Sequence, residues 1–253
     1  KNWMNKAAYF KKFYKVKRGL RKLKSKKPLF TIITVVYNGE KYIQETIDSI
    51  AKQKVKNYEY IVIDGNSTDN TINIINSTNF NIEIISKKDK SFEDGVNKCL
   101  EKISTDYFCI LGSDDLLGDE TYLEKMIKSL EKGGHDIVFP DFGLIENNRK
   151  KIKTQLEDFN VLKYKTVVPG IGWIGKKELI KNIKFNLNYK VASDYDLLLN
   201  FYINKFKFYR LYDVIYFFRL GVGTSFKLAP LGFIEQKKIA LLNNGPKIKI
   251  YYI

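Results

Sequence analysis

The chain has 253 residues, 44% of them hydrophobic, with 44 Lys and Arg against 28 Asp and Glu. That is enough apolar material for one large globular domain with a real core. No apolar run reaches the ~18 residues of a membrane span, no signal-peptide core follows the basic start, and two cysteines cannot build a disulfide framework.

Twelve of the net sixteen positive charges fall between Lys1 and Lys27, a stretch without a single acid. Apolar Trp3, Ala7, Phe10 and Tyr14 recur there at helical spacing, so residues 1–27 are expected to form a basic amphipathic arm closed by Pro28. Such an arm could pack on the domain, dock on an anionic membrane surface, or bind nucleic acid. The last is set aside, because the body carries no basic face and no recognition motif.

From 28 to 228 the sequence alternates. "LFTIITVVYN" reads as a buried strand and "EKYIQETIDSIAKQ" as a helix; "YEYIVIDG" follows as a strand. "STDNTINIINST" is a short helix expected to be capped by Ser67 or Thr68. "IEIISKKD" is a third strand and "SFEDGVNKCLEKI" a helix; "YFCILGSDD" is a fourth strand and "DETYLEKMIKSLEKG" a helix; "HDIVFPDFGLIE" is a fifth strand. Strands alternating with helices of this length predict an α/β fold with a mostly parallel sheet. Beyond Glu146 the pattern breaks. "NNRKKIKTQLEDFN" looks like a hairpin or excursion, "VVPGIGWIG" is glycine-rich, and "KKELIKNI" and "SDYDLLLNFYIN" are helical. "FKFYRLYDVIYFFRL" is strand-like, "GVGTS" a loop, and residues 229–253 a final helix and tail. Cys99 and Cys109 sit in apolar stretches and are expected to pack as small hydrophobes in a reducing compartment.

In open α/β sheets ligands bind beyond the carboxyl ends of the strands. Those ends carry Thr34, Val35, Tyr37 and Asn38, then Asp64, then Lys87, Lys88 and Asp89, then Ser113, Asp114 and Asp115. A strand-end aspartate often caps the next helix, so Asp64 and Asp89 have that alternative. One cap needs one carboxylate, however, and adjacent Asp114 and Asp115 are better suited to Mg²⁺ or Mn²⁺, which prefer hard oxygen ligands and bridge to diphosphate. "VVYNGEK" has neither glycine-rich nucleotide fingerprint, so phosphate charge must be met by metal and lysines such as Lys88. Asp64 could accept a base N–H, with Tyr37 against the base. The lone His135 follows a helix end and is expected to be structural.

Together, "TIITVVYNGEKYIQETIDSI", "YEYIVIDGNSTDNT" and "LGSDD" resemble the family 2 inverting glycosyltransferases of GT-A fold. "KKDKSFEDGVNKCL", "YKVASDYDLLL" and "GVGTS" extend that likeness, in order, to Ser225. The subgroup serves bacterial exopolysaccharide, capsule and lipopolysaccharide assembly. The resemblance implies that Thr34, Val35 and Tyr37 border the nucleotide base, Asp64 bonds the uracil of a UDP-sugar, and Lys88 and Asp89 flank base and diphosphate. It further implies that Asp114 meets ribose or metal, that Asp115 ligates the metal, and that Asp94 and Asn97 lie near the donor sugar. Asp194 would be the general base. Helical geometry points Asp194 and Asp196 about 200° apart, so only one can face a cleft.

This sequence departs from the subgroup at Ser91, Glu93, Gly95 and Cys99, where Gly, Tyr, Ala and Gly are usual, and at Ser193, where Glu is common. The resemblance implies a glycan or lipid-linked acceptor and a cytoplasmic protein, peripheral on the inner face of the membrane if the arm docks. Two rivals are a sugar nucleotidyltransferase, which lacks its basic glycine-rich loop here, and a silent nucleotide- or glycan-binding module.

Overall fold

A computed structural model describes residues 29–86, 91–153, 158–166, 170–222 and 226–243. The basic arm, Lys88, Asp89, most of "GVGTS" and the tail lie outside the described residues.

Runs of β-branched and aromatic residues set the first half. β1 (Phe30–Val36), β2 (Tyr58–Asp64), β3 (Glu83–Ser86) and β4 (Tyr107–Gly112) pair in parallel in the order β3-β2-β1-β4. The connecting helices are α1 (Ile43–Ala51), α2 (Thr71–Ser77) and α3 (Phe92–Leu100). The register sets Val36 beside Asp64, Asp64 beside Ser86 and Val35 beside Gly112. The strand ends therefore make one rim, and the order reverses between β1 and β4, the place where such sheets open a crevice.

Two short strands escaped the sequence reading: β5 (Leu116–Leu117) and, after β6 (Ile137–Glu146) and β7 (Arg149–Lys153), β8 (Ile174–Lys176). The excursion beyond Glu146 is a hairpin: β7 returns antiparallel on β6 through Asn147 and Asn148, whose φ angles of 49° and 60° suit asparagine. β8 bridges β4 and β6, antiparallel to both. β9 (Phe208–Arg219) runs parallel to β6 and carries β5 on its far edge. Among the described residues these nine strands form one sheet.

Helices cover both faces. α1, α2 and α4 (Tyr122–Gly133) pack Ile47, Tyr122 and Met126 onto one side with Ile32, Val62 and Tyr216. α3 and α5 (Ser193–Ile203) pack Val96, Leu198 and Phe201 onto the other, around Phe108, Phe139 and Trp173. A last helix, α6 (Ala229–Leu242), has a proline in its first turn and packs against α5. Cys99 and Cys109 are free and buried, and burial pushes both thiols up to about 12, so they are inert hydrophobes as expected. His135 follows the left-handed Gly134 and stacks on Tyr209 at 4.3 Å.

Candidate functional site at the strand ends

Tyr37, at the tip of β1, is 64% exposed. The loop it opens is zipped to the loop after β2. Asn38 N–H donates to Ser67 Oγ at 2.8 Å, Gly39 N–H to Thr71 Oγ1 at 2.8 Å, and Thr68 N–H to Asn38 Oδ1 at 2.8 Å. Ser67 and Thr68 thus tie loops together and do not cap α2, whose N-cap position is Asn70. Asp64 is buried; it accepts Ser67 N–H at 3.1 Å and Ser86 Oγ–H at 2.7 Å. Those bonds make it the anchor of the second loop, with acceptor capacity left for a further donor. Val35 is partly exposed and leans on the core.

Two expected donor contacts are placed elsewhere. Thr34 is fully buried, and its hydroxyl accepts the Tyr60 phenol at 3.2 Å. In a strand covered on both faces, its side chain has no route to the rim. Asn97 grips the backbone of Phe185, donating to its carbonyl at 2.9 Å and accepting its N–H at 3.0 Å. Its amide ties α3 to the segment before α5. Asp94 sits in the first turn of α3, whose Ser91 caps the Asp94 N–H at 3.3 Å, and accepts Lys98 Nζ at 2.7 Å.

The adjacent acids divide sharply. Asp115 is sealed, folding its carboxylate back over Gly112, where an added Cβ would lie 2.3 Å from Asp115 Oδ2. One oxygen takes the Tyr216 hydroxyl; the other takes the Arg219 N–H at 2.9 Å. Burial, and then the charge of Asp114, hold its carboxyl well above the usual range. Asp115, expected beside Asp114 as a metal ligand, thus fastens β9 to the end of β4, with each of its oxygens accepting one donor of the protein. Ser113 and Asp114 remain partly exposed. Burial also raises Asp114, opposed by the Arg219 charge. Arg219 itself is 4% exposed; its Nε donates to the Asp114 carbonyl at 2.9 Å, its guanidinium to Glu45 at 2.9 Å, and it lies 4.1 Å over the Tyr42 ring. The like-charge repulsion is thus met by donors and a buried guanidinium.

Among the described residues no three acids, histidines or cysteines cluster into a self-sufficient metal centre. Asp114 alone still fits Mg²⁺ or Mn²⁺, because such ions are held by one or two carboxylates, with water and substrate phosphates completing the shell.

Asp194 opens α5. It accepts the Tyr195 N–H at 2.7 Å and presses on Gly170, where a Cβ would lie 1.7 Å from Asp194 Oδ2. Burial pushes its carboxyl up to about 6, helped by the charge of Glu93. Glu93 accepts the Ser193 hydroxyl at 2.7 Å, so two departures from the subgroup pattern meet as a bonded pair. Asp196 is buried and turned towards Asn186. Sequence reasoning missed two supports. Gly172 N–H donates to the Ile110 carbonyl of β4 at 2.8 Å, lashing the Gly170 loop to the strand that leads to Asp114. Glu235 of α6 accepts the N–H groups of Lys190, Val191 and Ala192 at 2.9, 2.9 and 3.0 Å, fixing the approach to Asp194. A lone acid in an apolar helix was the available signal for Glu235. Gly170→Ala must displace the Asp194 carboxylate; turnover is expected to fall about tenfold or more with the fold retained, checked by kcat beside a melting curve.

Residues 31–211 match the sequence profile of Glycosyl transferase family 2. The chain belongs to that family. A putative glycosyltransferase, EpsE, of Bacillus subtilis is 33% identical over 129 residues, 46% of this chain and 46% of that protein. A teichoic acid poly(glycerol phosphate) polymerase of Staphylococcus epidermidis is 27% identical over 217 residues, 79% of this chain but 30% of that protein. The matched segments thus span less than half of these relatives' own lengths. Among solved structures, S. aureus TarS 1-349 in complex with UDP-GlcNAc superposes with a TM-score of 0.71 at 22% identity, covering 84% of this chain and 65% of that one. Glucosyl-3-phosphoglycerate synthase from Mycobacterium tuberculosis, in complex with Mn²⁺, UDP and phosphoglyceric acid, gives 0.61 at 17% identity over 85% and 78%. At such identities the likeness shows the fold, which is that of the GT-A glycosyltransferases.

Proposed function

We propose that this family 2 chain transfers a sugar from a UDP-linked donor to a glycan or lipid-linked glycan acceptor in bacterial surface polysaccharide assembly, with inversion at the anomeric carbon. The observation that carries the reading is Asp194, a carboxylate ionising near 6 at the start of α5, beside a glycine that leaves room for nothing else. A base of that strength is deprotonated at neutral pH yet takes a proton readily. The acceptor hydroxyl oxygen attacks the anomeric carbon, the bond to the diphosphate oxygen breaks, and the hydroxyl proton passes to Asp194. No covalent intermediate forms, so one base suffices.

Tyr37 and Asp64 would meet the base of the nucleotide, with Lys88 and Asp89 nearby; Ser113 and Asp114 would face the ribose and diphosphate, and Asp94 the sugar. Asp114 would hold Mn²⁺ or Mg²⁺, which when bound neutralises charge on the departing diphosphate. Neighbouring structures with UDP-GlcNAc, or with UDP and Mn²⁺, support that choice of donor and ion. The basic segment 1–27 suits a cytoplasmic membrane surface, where lipid-linked acceptors reside.

A panel of nucleoside diphosphate sugars tests the reading. Hydrolysis or thermal protection is expected with UDP-sugars in Mn²⁺ and is expected to vanish with chelator. No turnover of any donor, or protection by GDP or CDP alone, would contradict it.

A further inference from the structure

The inner side of α6 is buried: Gly232 meets Val191, Glu235 holds the backbone before Asp194, and Ile239 and Ala240 enter the core. The outer side is apolar too. Phe233, Ile234 and Leu242 are 67%, 64% and 67% exposed, Leu241 is 42% exposed, and Phe226 in the preceding turn is 61% exposed. Large apolar side chains clustered and exposed on the outer side of a helix whose inner side is already buried mark a surface that meets a partner or a membrane. At 14 residues it measures about 21 Å, short of the ~30 Å hydrocarbon core, so it can lie on a bilayer but not cross one.

Charge selects the occupant. Lys227, Lys237 and Lys238 are exposed around the apolar patch, whereas the one acid of the helix, Glu235, is turned inward. A second copy would set lysines against lysines. The chain's own residues 1–27 carry twelve Lys and Arg and no acid, and are repelled likewise. An anionic lipid surface attracts both, and lysine stems let their ammonium groups reach headgroups while the apolar side chains sink. We propose that α6 is a docking face for an anionic bilayer, with Phe233, Ile234 and Leu241 in the lipid interface. Its inner side grips residues 190–192, so docking sets Asp194 close behind the membrane-facing helix. That benefit to a lipid-borne acceptor rests on the transferase reading; the docking itself does not.

The test uses the whole chain and no sugar donor. Sedimentation is compared on phosphatidylcholine vesicles and on mixed phosphatidylcholine–phosphatidylglycerol vesicles. Binding is expected to be about tenfold or more tighter on the mixed vesicles, and the pair Phe233→Ser and Ile234→Ser is expected to lose about as much. Both side chains are exposed, so the melting temperature should hold. Because residues 1–27 could bind by charge alone, a second readout is needed: Phe233→Cys carrying an environment-sensitive dye, which labels selectively because Cys99 and Cys109 are buried. Its emission is expected to shift blue on mixed vesicles only. Unchanged affinity of the double serine variant, an unshifted dye, or a serine effect on self-association without one on vesicles would each overturn the proposal.

Discussion

Asp194→Asn is expected to cut turnover by about 10²–10⁴-fold while leaving UDP affinity intact, and to make the protein more stable at pH 8. The second effect follows from the sign of the shift. The carboxyl ionises near 4 in the unfolded chain and near 6 in the fold, because burial disfavours its charge. Between those values the native state holds a proton that the unfolded state has lost. Stability therefore falls as pH rises through this window, and the whole penalty, at most ~3 kcal/mol, is present above it. Asparagine removes the charge and keeps the Tyr195 N–H acceptor, so the variant's gain should be full at pH 8 and absent below pH 4. Urea unfolding at pH 8, 5 and 3.5 measures it. The wild-type rate should likewise fall below pH ~6 and not near 4. An inactive variant that is also less stable at pH 8 would mean that Asp194 is a structural anchor.

The adjacent acids give the second large effect. Asp115→Ala would leave the Tyr216 O–H and the Arg219 N–H without the acceptor they share in a sealed space, and is expected to cost about 2–4 kcal/mol of stability. Asp114→Ala, at a partly exposed site, should cost well under ~1 kcal/mol yet abolish the enhancement of UDP binding by Mn²⁺. Asparagine separates the roles. Asp115→Asn can still accept the Arg219 N–H and bond the Tyr216 hydroxyl, so it should keep most of its activity. Asp114→Asn should not, since a neutral amide is a poor ligand for a hard cation. Calorimetry of UDP binding with and without Mn²⁺, beside unfolding curves, reads both. Loss of ion-dependent binding in Asp115→Asn with full stability would reverse the assignment.

The parallel half of the fold was legible because each strand is a short run rich in β-branched or aromatic residues followed by a helix of fitting length. β5 and β8 were not, because two or three residues carry no period; they exist because β9 and β4 offer them partners. The rim was legible too, as Tyr37, Asp64, Ser113 and Asp114 each stand at a strand end. What each side chain does there was not. Thr34 lies in a strand buried on both faces, so alternation says nothing of its direction. Asn97 and Asp115 find their partners about a hundred residues along the chain, in Phe185, Tyr216 and Arg219, and no local pattern reports such contacts. The pair Glu93 and Ser193 is similar: each looks like an isolated departure until the fold joins them.

The most direct test is a crystal structure with UDP and Mn²⁺. The ion is expected on the Asp114 carboxylate, with the diphosphate completing its shell, Tyr37 against the uracil, and Asp115 still bonded to Tyr216. An ion seated on Asp115 with the Tyr216 bond broken, or UDP bound away from the rim with Asp114 in water, would contradict the account.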